Sequence, residues 1–518
     1  MASAGSEYDD VPYLAPSFAN TYPDALGVAA ILRGLDAPPL HGARVLELGC
    51  ARGANLVPMA WSMPDSEFVG VDLSRRQIEA ARERAAAAGT ANVTFHAMDL
   101  RDVDDSFGAF DFVVAHGLFS WVPREVQESL LEVCARRLSP NGIVYLSYNT
   151  LPGWSAGVMF REMVLYRVRG IADPAERLRE ARAFLRFLAG ATRPKETIWA
   201  AQLDEHASYF EQAHDWYLLH DDLEAENNPV YFHEIVERAG RHGLQYVTEE
   251  RSLTSGEVLA PEALAQLDRF AANRIEREQV VDFACSRRFR RSLFCRAGRP
   301  LPTGPEPGRL AACRLRSRVK PVDPSADPLA PGSESFLGLD GLTLETSDVR
   351  LRTLLHVLWG VWPGTLEHAA ATHVLAEATR RSGGPTPEPP VLDRMVHQAI
   401  LGQVVSAHLL DPQIAAALPE RPSASPVARY EAAAGEPVTH LLNGSGDLDP
   451  LDRFVVRLLD GTRTRDDVVA SIREAFDAGQ LEPTPSGRAA EPGEEPKSAA
   501  ELADLSLSHL LAACYIHR

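Results

Sequence analysis

The sequence has no Cys-x-x-Cys pair, and its six scattered cysteines, Cys50, Cys134, Cys285, Cys295, Cys313 and Cys514, have no histidine nearby at zinc-ligand spacing. A structural metal is therefore not expected. No uncharged apolar run reaches the roughly 18 residues that a membrane-spanning helix needs, and the start, 1–10, is small and acidic rather than basic then apolar, unlike a secretory leader. The cytoplasm is the expected location. Positive charge is in deficit, with 52 Lys and Arg against 71 Asp and Glu and a formal net charge of −19. That balance argues against nucleic acid as a partner, because phosphate binding is driven mainly by Lys and Arg releasing counterions. The basic run Arg287-Arg288-Phe289-Arg290-Arg291 reads as the solvated side of a helix. There is no internal repeat and no Gly-x-Gly-x-x-Gly, which leaves a nicotinamide dehydrogenase a remote reading.

What remains is an ordinary globular composition, 45% hydrophobic and 24% charged over 518 residues, enough for about three domains. Short apolar runs over 44–48, 67–71, 93–97, 110–115 and 142–148 alternate with helical stretches at 75–88 and 126–138. This alternation predicts an α/β domain, a doubly wound, Rossmann-like parallel sheet. Beyond Trp154 the strand signal fades, and 174–187, 198–210 and 230–242 read as amphipathic helices of a mainly helical middle domain. A stretch crowded with Pro, Gly and Ser reads as a linker. Short helices then follow at 348–362, 390–405, 450–460 and 465–478, a pattern that suits a winged-helix-like fold and a plain helical bundle equally. The acidic stretch 483–496 reads as a loop. The expected division is 1–155, an α/β domain with an N-terminal arm; 156–298, the helical middle domain; 299–340, the Pro-rich linker; and 341–518, the C-terminal winged-helix-like domain.

The chemistry concentrates at the strand ends. Val45-Leu46-Glu47-Leu48-Gly49-Cys50-Ala51-Arg52-Gly53-Ala54-Asn55 is a strand running into a glycine-bearing turn and a helix, where backbone can approach a nucleotide-like ligand and free N–H groups point at it. Ala51 stands where glycine is frequent, yet is small enough for a tight turn. Asp72, in Val71-Asp72-Leu73-Ser74, lies at the end of the neighbouring strand, where a carboxylate can accept both hydroxyls of a ribose. In Ala97-Met98-Asp99-Leu100 the acid can take an exocyclic adenine amine while Leu100 packs on the ring. The fourth strand delivers His116 and Gly117 to the same edge. Singly, Asp72 or Asp99 is more often a helix cap and Gly49 a turn glycine; order and spacing together carry the reading.

With Glu47-x-Gly49-x-x-x-Gly53, Gly70-Val71-Asp72-Leu73-Ser74, Asp99 and Phe110-Asp111, the sequence resembles class I methyltransferases that use S-adenosylmethionine (SAM). More narrowly, it is similar to bacterial methyltransferases with a regulatory domain, among them protein-lysine methyltransferases acting on outer-membrane proteins. That likeness rests on Tyr13, Tyr148-Asn149-Thr150-Leu151-Pro152-Gly153-Trp154, His220-Asp221-Asp222-Leu223, Asn228-Pro229-Val230-Tyr231-Phe232, Arg287 to Leu293 and, more faintly, Leu458-Leu459-Asp460-Gly461-Thr462-Arg463. The resemblance implies a SAM site built from Tyr13, Glu47, Gly49, Cys50, Gly53, Asn55, Asp72, Leu73, Gln77, Asp99, Leu100, His116 and Gly117, with no metal. Tyr148, Asn149 and Trp154 are the expected acceptor-side, catalytic group, although Pro152-Gly153 as a turn and Trp154 as interdomain core is the competing view. His220 and Asp221 are read as capping or interdomain contacts.

Methyl transfer from a sulfonium is an in-line displacement in which the protein aligns donor and acceptor and excludes water. An amine acceptor must be neutral, and a neighbouring positive charge in a poorly solvated channel favours that form. Aromatic faces from Tyr148, Trp154 and Trp121 suit a methylated cation. The expectation is methylation of an amine, a protein lysine, by a soluble enzyme with room for a homodimer. Two alternatives stay open: a small-molecule acceptor, or a SAM-binding regulatory or scaffold protein without turnover.

Overall fold

The computed structural model describes residues 16–192, 197–250, 259–338, 341, 343–488 and 496–518. Its centre is a seven-stranded sheet of β1 (Arg44–Leu48), β2 (Glu67–Asp72), β3 (Val93–Ala97), β4 (Phe110–Ala115), β5 (Leu138–Asn149), β6 (Leu244–Glu249) and β7 (Phe289–Arg296), in the order β3-β2-β1-β4-β5-β7-β6. The first five run parallel, β7 is antiparallel to β5, and β6 is antiparallel to β7. The strand order reverses between β1 and β4, the point at which open α/β sheets bind ligands beyond their carboxyl ends.

Helices cover both faces, which is why these strands are nearly continuous apolar runs. On one face, α1 (Pro23–Leu32), α2 (Leu56–Ser62) and α3 (Arg75–Ala88) pack Leu26, Leu56 and Ile78 over Val45, Phe112 and Tyr145. On the other, α4 (Arg124–Arg137) and the helix Phe232–Arg241 pack Leu130, Leu131 and Ile235 over Leu46, Val113 and Leu146. Helix α3 is sharply bounded: Ser74 Oγ accepts the N–H of Gln77 at its start, and Gly89 closes it in the left-handed conformation.

The segment after Trp154 is helical, as its periodicity predicts, with Phe160, Val164, Leu178, Leu185, Leu203 and Phe210 forming a core between Ser155–Val168, Pro174–Thr192 and Ile198–Gln212. It does not stay helical to residue 298, because β6 and β7 return to complete the sheet. The Arg287–Arg291 run is accordingly no solvated helix face. It enters β7, and Arg290 is buried: Nε and Nη2 donate to Asp282 at 2.8 and 2.7 Å, and Nη1 donates to Glu249 at 2.7 Å. A buried guanidinium is tolerable only with such carboxylate partners.

The stretch 299–340 is also more than a linker. It carries the short strands Arg314–Arg316, Val319–Pro321 and Glu334–Gly338, and Leu310, Leu315, Val319 and Phe336 form one core with Leu354, Leu358 and Leu375. Single apolar residues set among Pro and Gly leave no period to read. At the C-terminus, helices Pro426–Ala434, Pro450–Leu458, Arg465–Asp477 and Ala499–Ala512 and a small hairpin, Val438–Thr439 with Ser445–Gly446, make the winged-helix unit. Its Asp460-Gly461-Thr462-Arg463 segment is a turn. Asp460 accepts the Thr462 N–H at 2.9 Å, Gly461 is left-handed, and Thr464 caps the following helix. Most of the acidic loop expected over 483–496 lies outside the described residues. Among the described residues no helix is long and apolar enough to cross a membrane.

Candidate active site

Strand β1 ends in a turn whose backbone explains its composition. Gly49, Ala51 and Gly53 all have positive φ, at 76°, 44° and 68°. Glycine is required at Gly53, where a Cβ would meet the Phe95 ring at 2.9 Å. Ala51 takes the same region with a side chain, at a local cost of about 1–2 kcal/mol. The N–H groups of Gly49 and Cys50 donate to Val71 O at 2.8 and 3.2 Å, which fixes the turn to the end of β2. Cys50 turns its thiol into the core, where burial pushes its pKa up, so the turn offers backbone there.

Asp72 closes the turn from the other side: Oδ2 accepts the N–H of Ala51 and Oδ1 that of Ser74, each at 2.9 Å. Leu73 beside it is 56% exposed, an apolar rim at the mouth of the turn. Gln77 is buried on the first turn of α3. Beneath the turn, Glu47 is buried, and Asn55 Nδ2 donates to its Oε1 at 2.8 Å. Its second oxygen, Oε2, has no hydrogen-bond partner among the described residues. Burial raises the Glu47 pKa to about 8. A buried carboxylate oxygen without a partner beside a backbone cradle fits a ligand that brings an ammonium.

The other expected donor residues divide. His116 stands at the end of β4, with Nδ1 2.9 Å from Tyr145 Oη, and its ring lies 4.0 Å from that of Phe18. Burial, then Arg291, lowers its pKa to about 3, so it is neutral. Gly117 is exposed and left-handed, and its N–H donates to Ser147 Oγ at 2.8 Å. Asp99 is engaged by its neighbour: Arg101 donates from N and Nε to Oδ1 at 2.9 and 3.0 Å and from Nη2 to Oδ2 at 2.5 Å, which holds its carboxyl below the usual range. Leu100 follows in the short helical turn that Asp99 caps. Tyr13 lies outside the described residues. The arm that follows it covers the turn, since the N–H of Phe18 and the hydroxyl of Thr21 both donate to Asn55 Oδ1 at 3.0 Å.

On the acceptor side, Tyr148 is not at the mouth. Its ring packs in the core with Phe119, and its hydroxyl is 2.8 Å from Ser292 Oγ, which donates to Glu249. The reason is strand alternation: along β5, Leu146 and Tyr148 face α4, whereas Tyr145 faces the arm and α1. Asn149 is at the expected edge, with Nδ2 donating to Asn227 Oδ1 at 3.1 Å and its N–H to Ser120 Oγ at 2.8 Å. Trp154 is buried, edge-on to Trp121 at 6.5 Å and under the Arg288 guanidinium at 5.2 Å. His220 is buried in the helical segment Leu218–Asp222, where burial raises the carboxyls of Asp221 and Asp222 to about 7 and 6. Beside the donor edge lies a cavity of about 1760 Å³, with Asn20, Tyr22, Glu250, Arg291 and His408 in its wall. The donor turn itself is not in that wall.

Residues 45–142 match the family described as "Methyltransferase domain", residues 214–296 the "Predicted methyltransferase regulatory domain", and residues 420–515 the "PKMT, C-terminal winged helix domain". The structure of PKMT2 from Rickettsia typhi in complex with AdoHcy is 28% identical, with a TM-score of 0.84 and a match covering 98% of this chain and 100% of that one. The uncharacterized protein RP028 of Rickettsia prowazekii is 39% identical over 232 residues, 45% of this chain and 93% of RP028. The chain belongs to this methyltransferase family. The uncharacterized protein RP789 of the same organism is 42% identical over 291 residues, and the chain spans about half of its length, 52%.

Tyr145 and Asn20 are candidate site residues that sequence reasoning missed. Asn20 Nδ2 donates to Tyr145 Oη at 3.1 Å, so arm, strand β5 and His116 meet at one hydroxyl. Alternation along β5 was the available signal: residues 145, 147 and 149 share the face that the arm covers.

Proposed function

We propose that this methyltransferase moves the methyl group of SAM to an amine on a protein, a lysine side chain. The observation that carries the donor assignment is the turn at Gly49–Gly53 with the unpartnered, buried Glu47 Oε2 beneath it. The near full-length likeness to PKMT2, solved with AdoHcy, supports it. SAM supplies a methyl group on a positively charged sulfur, which an amine lone pair displaces in line as the C–S electron pair returns to sulfur.

The chain's own residues align, shield and hold. Asp72 receives the ribose end beside the turn, with Leu73 and Leu100 as the apolar rim, and Glu47 takes the donor's ammonium. Burial, then Arg291, keeps His116 neutral, so it adds no positive charge against the donor. Tyr145 stays protonated because burial holds its hydroxyl well above the usual range, so it orients an acceptor through hydrogen bonds and is no base. The acceptor amine therefore arrives neutral, its proton released to solvent. The near full-length likeness to PKMT2 favours a protein acceptor over a metabolite. Titration calorimetry with SAM, followed by transfer of a labelled methyl group to bulk protein, tests the proposal; absence of SAM binding overturns it.

A further inference from the structure

An ion cluster joins the C-terminal unit to the donor turn. In the winged-helix unit, helix Pro426–Ala434 ends at Gly435, left-handed at φ 74°, and the next residue is Glu436. That turn directs Glu436 away from its own unit. Its Oε1 is 2.9 Å from Nη1 of Arg52, which sits inside the donor turn between Ala51 and Gly53. Its Oε2 pairs with Nη2 of Arg84 on α3. Arg84 Nη1 donates to Glu431 Oε1 at 2.5 Å, and Glu431 accepts the Thr439 N–H at 2.7 Å. Arg84 and Glu431 are almost completely buried, and Val427 of the same helix joins the core that α2 and α3 build.

The hairpin of the same unit grips the donor site a second time. The N–H of Ser17 donates to Ser445 Oγ at 3.0 Å, and the two hydroxyls are 2.8 Å apart. From Ser17 the arm runs directly to Phe18 and Thr21, which hold Asn55, which in turn holds Glu47. The turn is thus fixed from below by residues that follow β1 and from the side by a carboxylate of the C-terminal unit. Ala51 holds a left-handed conformation at a local cost, and the Arg52–Glu436 pair adds a restraint to the hydrogen bonds with Val71 and Asp72 that hold the turn.

We infer that Glu436 is a positioning residue for the donor site: through Arg52 it holds the Gly49–Gly53 turn in its binding conformation, so the winged-helix unit sets the affinity for the methyl donor. The inference rests on the SAM assignment proposed above. It gives the C-terminal unit a role in donor binding, separate from any contact with an acceptor.

The test uses the full chain with SAM as the probe, read by titration calorimetry, by initial rates against SAM concentration and by thermal melting. Arg52→Gln and Glu436→Gln each weaken SAM binding by about tenfold, or about 1.4 kcal/mol, and raise KM for SAM, while kcat at saturating SAM stays within about twofold. The double variant is no weaker than the weaker single one, because both remove the same link. Glu431→Gln removes a buried partner of Arg84 without touching Arg52; it lowers Tm but leaves SAM affinity within about twofold. Should Glu436→Gln fail to fold, Arg52→Gln reads the link with the Arg84 pairs intact. A folded Arg52→Gln chain with unchanged SAM affinity, multiplying losses in the double variant, or an equal loss in Glu431→Gln overturns the inference. If the unaltered chain does not bind SAM, both this inference and the proposed function fall. If it binds SAM and Arg52→Gln does not change the affinity, only this inference falls.

Discussion

SAM binding should release protons, and Glu47 is the source. In the free chain its burial raises the carboxyl from 4.5 to about 8, so at pH 7 about 0.9 of the molecules hold a proton there. The sign follows from a raised acid pKa. The buried carboxyl favours the folded state below its ordinary pKa, and that contribution is lost as pH rises from about 4.5 through about 8. An ammonium placed against Oε2 restores the charged form and expels the proton. The donor's own amine, with a pKa near about 7.9, takes up about 0.1 proton at pH 7, leaving a net release of about 0.8. SAM affinity should accordingly rise about eightfold between pH 6 and pH 7 and flatten near pH 8. Calorimetry in two buffers of different ionisation enthalpy at pH 7 reads the release directly, and Glu47→Gln should abolish it. Release near zero in the unaltered chain, or the same release in Glu47→Gln, refutes the reasoning.

Tyr145→Phe should lower turnover by about tenfold, about 1.4 kcal/mol, with SAM affinity changed by less than about threefold, whereas Tyr148→Phe should leave turnover nearly intact; steady-state rates on the true acceptor separate the two. Arg290→Met leaves Asp282 and Glu249 as buried charges without their cation and should cost about 3–5 kcal/mol in denaturant unfolding; a loss under about 1 kcal/mol would mean that the cluster is solvated. A chain ending at Arg299, which domain boundaries read from sequence would allow to fold alone, strips Glu431 and Glu436 from Arg84 and takes away the backbone N–H groups of Leu409 and Leu410 that Asp24 accepts. It should aggregate or lose SAM binding, and a monomeric, SAM-binding fragment by light scattering and calorimetry would show the units to be independent.

The local structure of the candidate donor turn was legible because its signals are local. A strand, a turn with glycines at fixed offsets and an acid at the end of the next strand lie within 45–72, and each has a backbone reason visible in the structure. The acceptor half was only partly legible. Tyr148 stood out as an aromatic beside Asn149, but alternation along β5 sends the two buried tyrosines to opposite faces: the Tyr145 hydroxyl meets His116 and Asn20, and the Tyr148 hydroxyl meets Ser292. Strand β7 was hidden by its arginines: Arg290 occupies a buried position that a hydrophobic pattern assigns to Leu or Val, and its neutralising partners Glu249 and Asp282 lie on other elements. The contacts that tie the C-terminal unit to α3 and the donor turn have no local signature, since a Glu after a helix-ending glycine reads as an ordinary surface residue.

The most direct measurement is to incubate the purified chain with methyl-labelled SAM and a host lysate, fractionate the label by size and locate it by mass spectrometry of the digested protein fraction. The account predicts label on lysine side chains of protein, at least about tenfold reduced with Asp72→Ala. Label confined to small molecules, or no label leaving SAM while the chain demonstrably binds it, would contradict the claim that this chain is a protein methyltransferase.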